Sequence, residues 1–260
     1  MRFVLIHGGF HGAWCWARTL PELERLGHQA IAIDLPGHGL RRDERSTLAD
    51  RQGAILEVLQ PGDVLVGHSG GGYDISLAAG AAPERIGHLV YLAAGLPIEG
   101  RSVLEATGGA AASPAEGDGE ARVVQLMDDD TGMLRFIRPD ARGRLACVDP
   151  QLAGDFFYHD CDAETVAWAF GQLTPAPTDF MQEPVSIPAF WQADLPRSYI
   201  HCKQDRAKPA AMTKSVVERL GVEPLEIDAS HSPFLSRPAE LAELLVRATA
   251  TRPIGPLKPN

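Results

Sequence analysis

Gly67-His68-Ser69-Gly70-Gly71 follows directly on the apolar run Val64-Leu65-Val66, and no other stretch restricts the fold of this chain so tightly. The pattern G-x-S-x-G holds a serine on a sharp strand-to-helix turn, a nucleophile elbow. It does so only where a strand precedes it, a helix follows, and partners come later in the order Ser, Asp/Glu, His. Pro61-Gly62 introduces a β-branched and leucine-rich run, so a buried strand is expected over 63–68. Tyr73, Ile75, Leu77 and several alanines then predict a helix over 72–82, stopped at Pro83. Glycines beside the serine suit a crowded, strained backbone. A Gly-rich loop with an incidental serine competes with this reading, so the remainder of the chain has to decide.

That remainder alternates as a parallel sheet requires. A strand over 2–7, a helix over 13–26 stopped by Gly27, a strand over 29–34 and a helix over 47–59 lead to the serine turn. The next apolar run is 86–94. From Arg197 the rhythm returns, with strands over 198–202 and 224–227, helices over 209–220 and 238–249, and a Pro-rich tail expected to fray. Between these halves the alternation breaks. Residues 97–195 carry Gly108-Gly109, an Ala/Gly/Ser/Pro/Glu-rich stretch over 108–121, the run Asp128-Asp129-Asp130, proline clusters over 175–188, and helix-like pieces near 150–157 and 162–173. The expected organisation is a core formed by 1–96 and 196–260, with 97–195 as a cap (lid) insertion over the sheet. No internal repeat is visible.

Length and charge narrow the function. A chain of 260 residues can bury a sizeable core without disulfides or metals. The net charge of -10 gives no general support for binding a phosphate backbone, so no nucleic-acid partner is expected. Cys15, Cys147, Cys161 and Cys202 are scattered without a C-x-x-C pair, which suggests neither a zinc site nor a disulfide framework. Phe3 to His7 is too short for a signal core or a membrane span, so the expected setting is the cytoplasm, with no membrane partner.

The C-terminal half supplies partners for the serine. Asp205 follows the strand ending near Cys202, and His231 follows the strand ending near Asp228. Both fall on loops at the carboxyl ends of strands, the edge where an open α/β sheet builds its chemistry. There His231 can take the Ser69 proton while Asp205 holds the imidazole tautomer and offsets its developing charge. Taken singly, Asp205 could pair with Arg206 or Lys203, and His231 could merely pack its loop. Their order after Ser69 favours a triad. His7-Gly8-Gly9-Phe10 ends the first strand, where such sites place an oxyanion loop, so the backbone N–H groups of Gly9 and Gly70 are the expected donors.

Phe3-Val4-Leu5-Ile6-His7-Gly8-Gly9, His11-Gly12-Ala13-Trp14-Cys15-Trp16, Leu26-Gly27-His28 and Ile33-Asp34-Leu35 together resemble the opening of the plant methylesterase and hydroxynitrile lyase branch of the α/β-hydrolase superfamily. Gln204-Asp205 and the spacing to His231 also look like that branch. Ala229-Ser230-His231-Ser232-Pro233 with Arg237-Pro238-Ala239-Glu240-Leu241 is similar to bacterial pyrethroid-hydrolysing carboxylesterases. The resemblance covers about 1–97 and 196–250. It implies an α/β-hydrolase fold with a mostly parallel six-stranded sheet flanked by helices, and carboxylic ester hydrolysis without a cofactor or metal. Lyases of the branch resemble a form with Thr after the first-strand His and Lys after the triad His. Gly8 and Ser232 stand at those positions here, which argues against cyanohydrin cleavage. Gly70 departs from both subgroups, where Leu is usual.

Substrate class has to come from the insertion. Met127, Phe136, Phe156, Phe157, Trp168, Phe170, Phe180, Met181, Phe190 and Trp191 are numerous enough to line an apolar pocket. Phe10, His68, Trp168, Phe190 and Trp191 are the pocket candidates. No Arg or Lys stands out as an anchor for an anion, so a neutral, hydrophobic small-molecule ester is expected. His11, Trp14 and Trp16 read as packing residues, His38 as a turn residue, and Asp128–Asp130 as a solvated face. Three function classes follow: a serine carboxylesterase; another reaction on the same scaffold, such as a lactonase, a lyase or a cofactor-free dioxygenase; and a ligand receptor with a hydrolase fold. A homodimer is compatible with the sequence.

Overall fold

The computed structural model describes residues 1–107, 132–208 and 210–260. Its elements run β1 (Arg2–Ile6), α1 (Leu20–Arg25), β2 (Gln29–Ile33), α2 (Leu48–Val58), β3 (Asp63–His68), α3 (Gly71–Ala81) and β4 (Ile86–Leu92). Next come α4 (Val103–Ala106), the short pair β5 (Ile137–Pro139) and β6 (Leu145–Cys147), α5 (Pro150–Phe157), α6 (Ala163–Gln172) and α7 (Pro188–Gln192). The chain closes with β7 (Arg197–Cys202), α8 (Ala210–Leu220), β8 (Leu225–Ile227), α9 (Pro233–Ser236) and α10 (Pro238–Ala248). Six strands form one sheet in the order β2-β1-β3-β4-β7-β8, and every pairing in it is parallel.

Successive side chains of an extended chain point to opposite faces, and that period of two feeds two cores. Phe3, Leu5, Val64, Val66, Val90, Leu92 and Ile200 enter one core, with Leu23 of α1 and Leu241 and Leu245 of α10. Val4, Ile6, Leu65, Leu89, Tyr91 and Tyr199 enter the other, with residues of α2, α3, α7 and α8. Parallel strands covered on both faces need apolar residues throughout, and β3 is buried along its whole length. Within the second layer, Arg51 of α2 donates two hydrogen bonds to Asp74 of α3, each 2.7 Å long and fully sheltered. Removing one member of such a buried pair costs about 3–5 kcal/mol.

The segment between β4 and β7 divides. Its hairpin and α5–α6 lie beside the strand ends, tied there by Thr174 N–H to the Phe10 carbonyl at 2.8 Å and by the Tyr158 hydroxyl against His11 Nε2 at 2.6 Å. Its last helix joins the core layer. A Cβ on Gly80 of α3 would lie 3.1 Å from Ile187 and 3.5 Å from Phe190. The helix expected over 13–26 is two pieces, a 3-10 turn over Ala13–Trp16 and then α1. Pro21 explains the restart: it lacks an N–H and fits only the first turn of a helix. The hairpin escapes sequence reading because three-residue strands show no period. Among the described residues, no helix is long and apolar enough to cross a membrane.

Candidate active site

Gly67 and Gly71 are glycines because the elbow has no room for anything else. A Cβ on Gly67 would lie 2.5 Å from the Gly71 carbonyl oxygen, and one on Gly71 would lie 2.7 Å from that of His7. Ser69 between them has φ 53°, in the left-handed region that a side chain disfavours. The turn is held in place by Ser69 N–H to the Leu92 carbonyl at 3.1 Å and by Gly95 N–H to the Ser69 carbonyl at 2.9 Å. Phe10 and Ala93 are the other non-glycine residues with positive φ among those described, and both line one cavity with Ser69. Backbone strain concentrates where a site needs it.

His231 Nδ1 lies 2.8 Å from Asp205 Oδ2, both side chains being 4% exposed. The second carboxylate oxygen accepts the N–H groups of Ala207 (2.8 Å) and Lys208 (3.1 Å). Burial by itself would raise the Asp205 carboxyl, but the imidazole and these donors outweigh it and hold it below the usual carboxylate range. The histidine loop is fixed from two sides. His68 Nε2 meets the His231 carbonyl at 2.8 Å, while Asp160 Oδ2 accepts Ser230 N–H at 2.9 Å and the Ser236 hydroxyl at 2.7 Å. Asp160, between α5 and α6, went unnoticed in the sequence, where nothing sets it apart from other loop carboxylates.

Ser69, His231, Gly9 and Gly70 meet in a cavity of about 240 Å³. A Cβ on Gly70 would lie 3.6 Å from Gly9 N, so the two expected donors are neighbours, whereas a Cβ on Gly8 would lie 2.8 Å from Ser69 Cβ. Phe10 and His68 line the cavity as expected. Trp168, Phe190 and Trp191 do not. Trp168 is 41% exposed and stacks edge-on against Trp14. Phe190 is fully buried in the core against α3. Trp191 donates to Glu99 and lies beside Arg219. An aromatic-rich composition does not say which face each ring presents, and the apolar wall is instead made by Met133, Ile137, Leu145, Phe157, Phe180 and Met181. Met127 and Asp128–Asp130 lie outside the described residues.

Two cations that did not stand out in the sequence line the cavity as well, and both are engaged with protein groups. Arg51 is committed to Asp74. Lys208 Nζ donates to the Ala94 carbonyl and to the Tyr199 hydroxyl, and burial pushes its amine down to about 7. His11, read as a packing residue, lines the cavity too. Burial pushes it down to about 3, and its two nitrogens are bonded to the Gly9 carbonyl and the Tyr158 hydroxyl.

A family model described as the alpha/beta hydrolase family matches residues 3–244. The chain belongs to the α/β hydrolase family. This hydrolase is 31% identical to polyneuridine aldehyde esterase of Rauvolfia serpentina over 257 residues, 94% of each chain. It is 32% identical to norfluorocurarine synthase 2 of a Strychnos species (95% of this chain, 94% of the relative) and 30% identical to methylesterase 7 of Arabidopsis thaliana (94% and 95%). Against solved structures, it superposes on polyneuridine aldehyde esterase with a TM-score of 0.74 at 26% identity (95% of this chain, 98% of that one). A pyrethroid hydrolase of Sphingobium faniae JZ-2 has the same fold, with a TM-score of 0.72 at 24% identity (96% and 98%). The plant relatives belong to the methylesterase-like group that the opening segments resemble, and the pyrethroid hydrolase that the His231 segment resembles shares the fold.

Proposed function

We propose that this protein is a carboxylic ester hydrolase that uses Ser69, His231 and Asp205 to cleave a small to medium hydrophobic ester through an acyl-enzyme. One observation carries the reading. Among the described residues, His11, His38, His68 and His231 line the cavity and only His231 is hydrogen-bonded to a carboxylate; it shares the cavity with the strained Ser69. The names of the esterase relatives agree with it.

In the first half-reaction His231 Nε2 takes the Ser69 hydroxyl proton as Oγ bonds to the ester carbonyl carbon. The oxyanion is stabilised by the Gly9 and Gly70 N–H groups. His231 then passes the proton to the alcohol oxygen as the C–O bond breaks, leaving the acyl group on Ser69. Water repeats the sequence, giving its proton to His231 and releasing the acid. The cavity lies below the roughly 300–1,000 Å³ usual for drug-sized ligands, which suits a modest substrate.

Cyanohydrin cleavage is disfavoured, since Gly8 has no hydroxyl and its Cβ direction is filled by Ser69. A screen of aryl esters from two to twelve acyl carbons, repeated with Ser69→Ala, tests the reading. Turnover by the wild type and its loss by a factor of about 10⁴–10⁶ in the variant are expected. Retention of more than about a tenth would overturn the nucleophile assignment.

A further inference from the structure

His38 shares the cavity with Ser69 and is 1% exposed. Its turn is held by the main chain: Gly37 N–H to the Arg41 carbonyl at 2.9 Å, His38 N–H to that of Leu35 at 3.0 Å, and Arg41 N–H to that of His38 at 2.9 Å. The imidazole is therefore spare. Its Nδ1 lies 3.3 Å from the Pro36 carbonyl, so the proton sits there, because the other tautomer would set a lone pair against that oxygen. Burial, then the nearby His7 and Arg51, hold the ring well below its ordinary value, so it is neutral at pH 7. Nε2 is left as a buried acceptor without a protein donor among the described residues.

Several other polar groups of the cavity wall are already paired. His11 Nε2 meets Tyr158, His231 Nδ1 meets Asp205, and Arg51 meets Asp74. His68 Nδ1 is also unpartnered, but its ring is tied through Nε2 to the His231 carbonyl, so His38 is the acceptor that can be varied without disturbing that loop. A buried acceptor in a substrate cavity discriminates strongly, because a ligand lacking a donor leaves it unpaired. We propose that His38 sets substrate choice: its Nε2 accepts a hydrogen bond from a hydroxyl or N–H carried by the ester, at a point away from the scissile carbonyl. The proposal rests on the esterase reading and narrows it from any hydrophobic ester to one bearing a neutral donor.

Matched esters test it. Hydroxybenzyl and methylbenzyl esters, and esters of hydroxyphenylacetic and methylphenylacetic acids, offer or withhold the donor on either side of the bond. The wild type is expected to favour the hydroxylated member of one series by about tenfold in kcat/KM. His38→Phe keeps a ring beside His7 but no acceptor, and should bring that ratio to near one. His38→Gln should restore part of the preference. A wild-type ratio near one, or the same ratio in His38→Phe, would overturn the proposal. If His38→Phe does not fold, His38→Leu takes its place. If the wild type cleaves no ester, the esterase reading fails by itself. Calorimetric binding of the same pairs to Ser69→Ala, with and without His38→Phe, then decides: a preference lost with His38 supports the proposal, and one unchanged overturns it.

Discussion

Replacing Asp205 by Asn tests the acid of the proposed triad at constant shape, and the structure dictates which way the amide turns. Ala207 and Lys208 aim their N–H groups at Oδ1, so the amide oxygen must stay there to accept them. The amide NH₂ then faces His231 Nδ1 at the 2.8 Å position of Oδ2. An amide donor there forces Nδ1 to be the acceptor and moves the imidazole proton to Nε2, the nitrogen that takes the serine proton in the proposed mechanism. With the tautomer reversed and the offsetting charge gone, kcat should fall by about 10⁴, or roughly 5 kcal/mol of transition-state stabilisation. Binding should change little, because Asp205 does not line the cavity. Stopped-flow hydrolysis of an activated aryl ester measures the loss, and ¹⁵N shifts of His231 report the tautomer. Activity above about a hundredth of wild type, or an unchanged tautomer, would refute the argument.

Gly8 and Gly9 separate packing from chemistry. Gly8→Ala puts a Cβ 2.8 Å from Ser69 Cβ, so it should lower stability by about 1–3 kcal/mol and displace the nucleophile, while Gly9→Ala meets no protein atom within 4 Å and should leave thermal unfolding nearly unchanged. Lys208 carries a pH signature. Its amine is pushed down to about 7 from its ordinary 10.5, so between those values the unfolded chain holds one proton more than the folded chain, and stability rises with pH across that window. Lys208→Met should therefore be more stable than wild type at pH 7, with an advantage that shrinks by up to about 1.4 kcal/mol per unit towards pH 10. Urea unfolding at pH 7, 8, 9 and 10 checks it, and a constant difference would contradict it.

The sheet was legible because its strands are runs of Val, Leu, Ile and Tyr bounded by Gly and Pro. β3 falls on its expected residues, 63–68. The elbow was legible because clashes at Gly67 and Gly71 leave a sequence signature. The three triad candidates could be found through their order and their places after strand ends, and Asp205 and His231 do meet. The pocket was less legible. Trp168, Phe190 and Trp191 are as aromatic as Phe157 and Phe180, and only tertiary packing decides which of them face the cavity. Lys208 and Arg51 lie too far from the serine in sequence for any short pattern to show that they line its cavity. His38 reads as an ordinary turn residue until its unpaired nitrogen is seen.

The central claim is that Ser69 is the nucleophile, and covalent capture tests it most directly. A fluorophosphonate should add once, with the mass increment mapping to Ser69 and the reaction suppressed in Asp205→Asn. Ser76 and Ser232 are fully buried, and the Ser76 hydroxyl is already bonded to the Gly72 carbonyl and to Tyr91. An adduct on either of these, or ester turnover that survives a fully modified Ser69, would contradict the account.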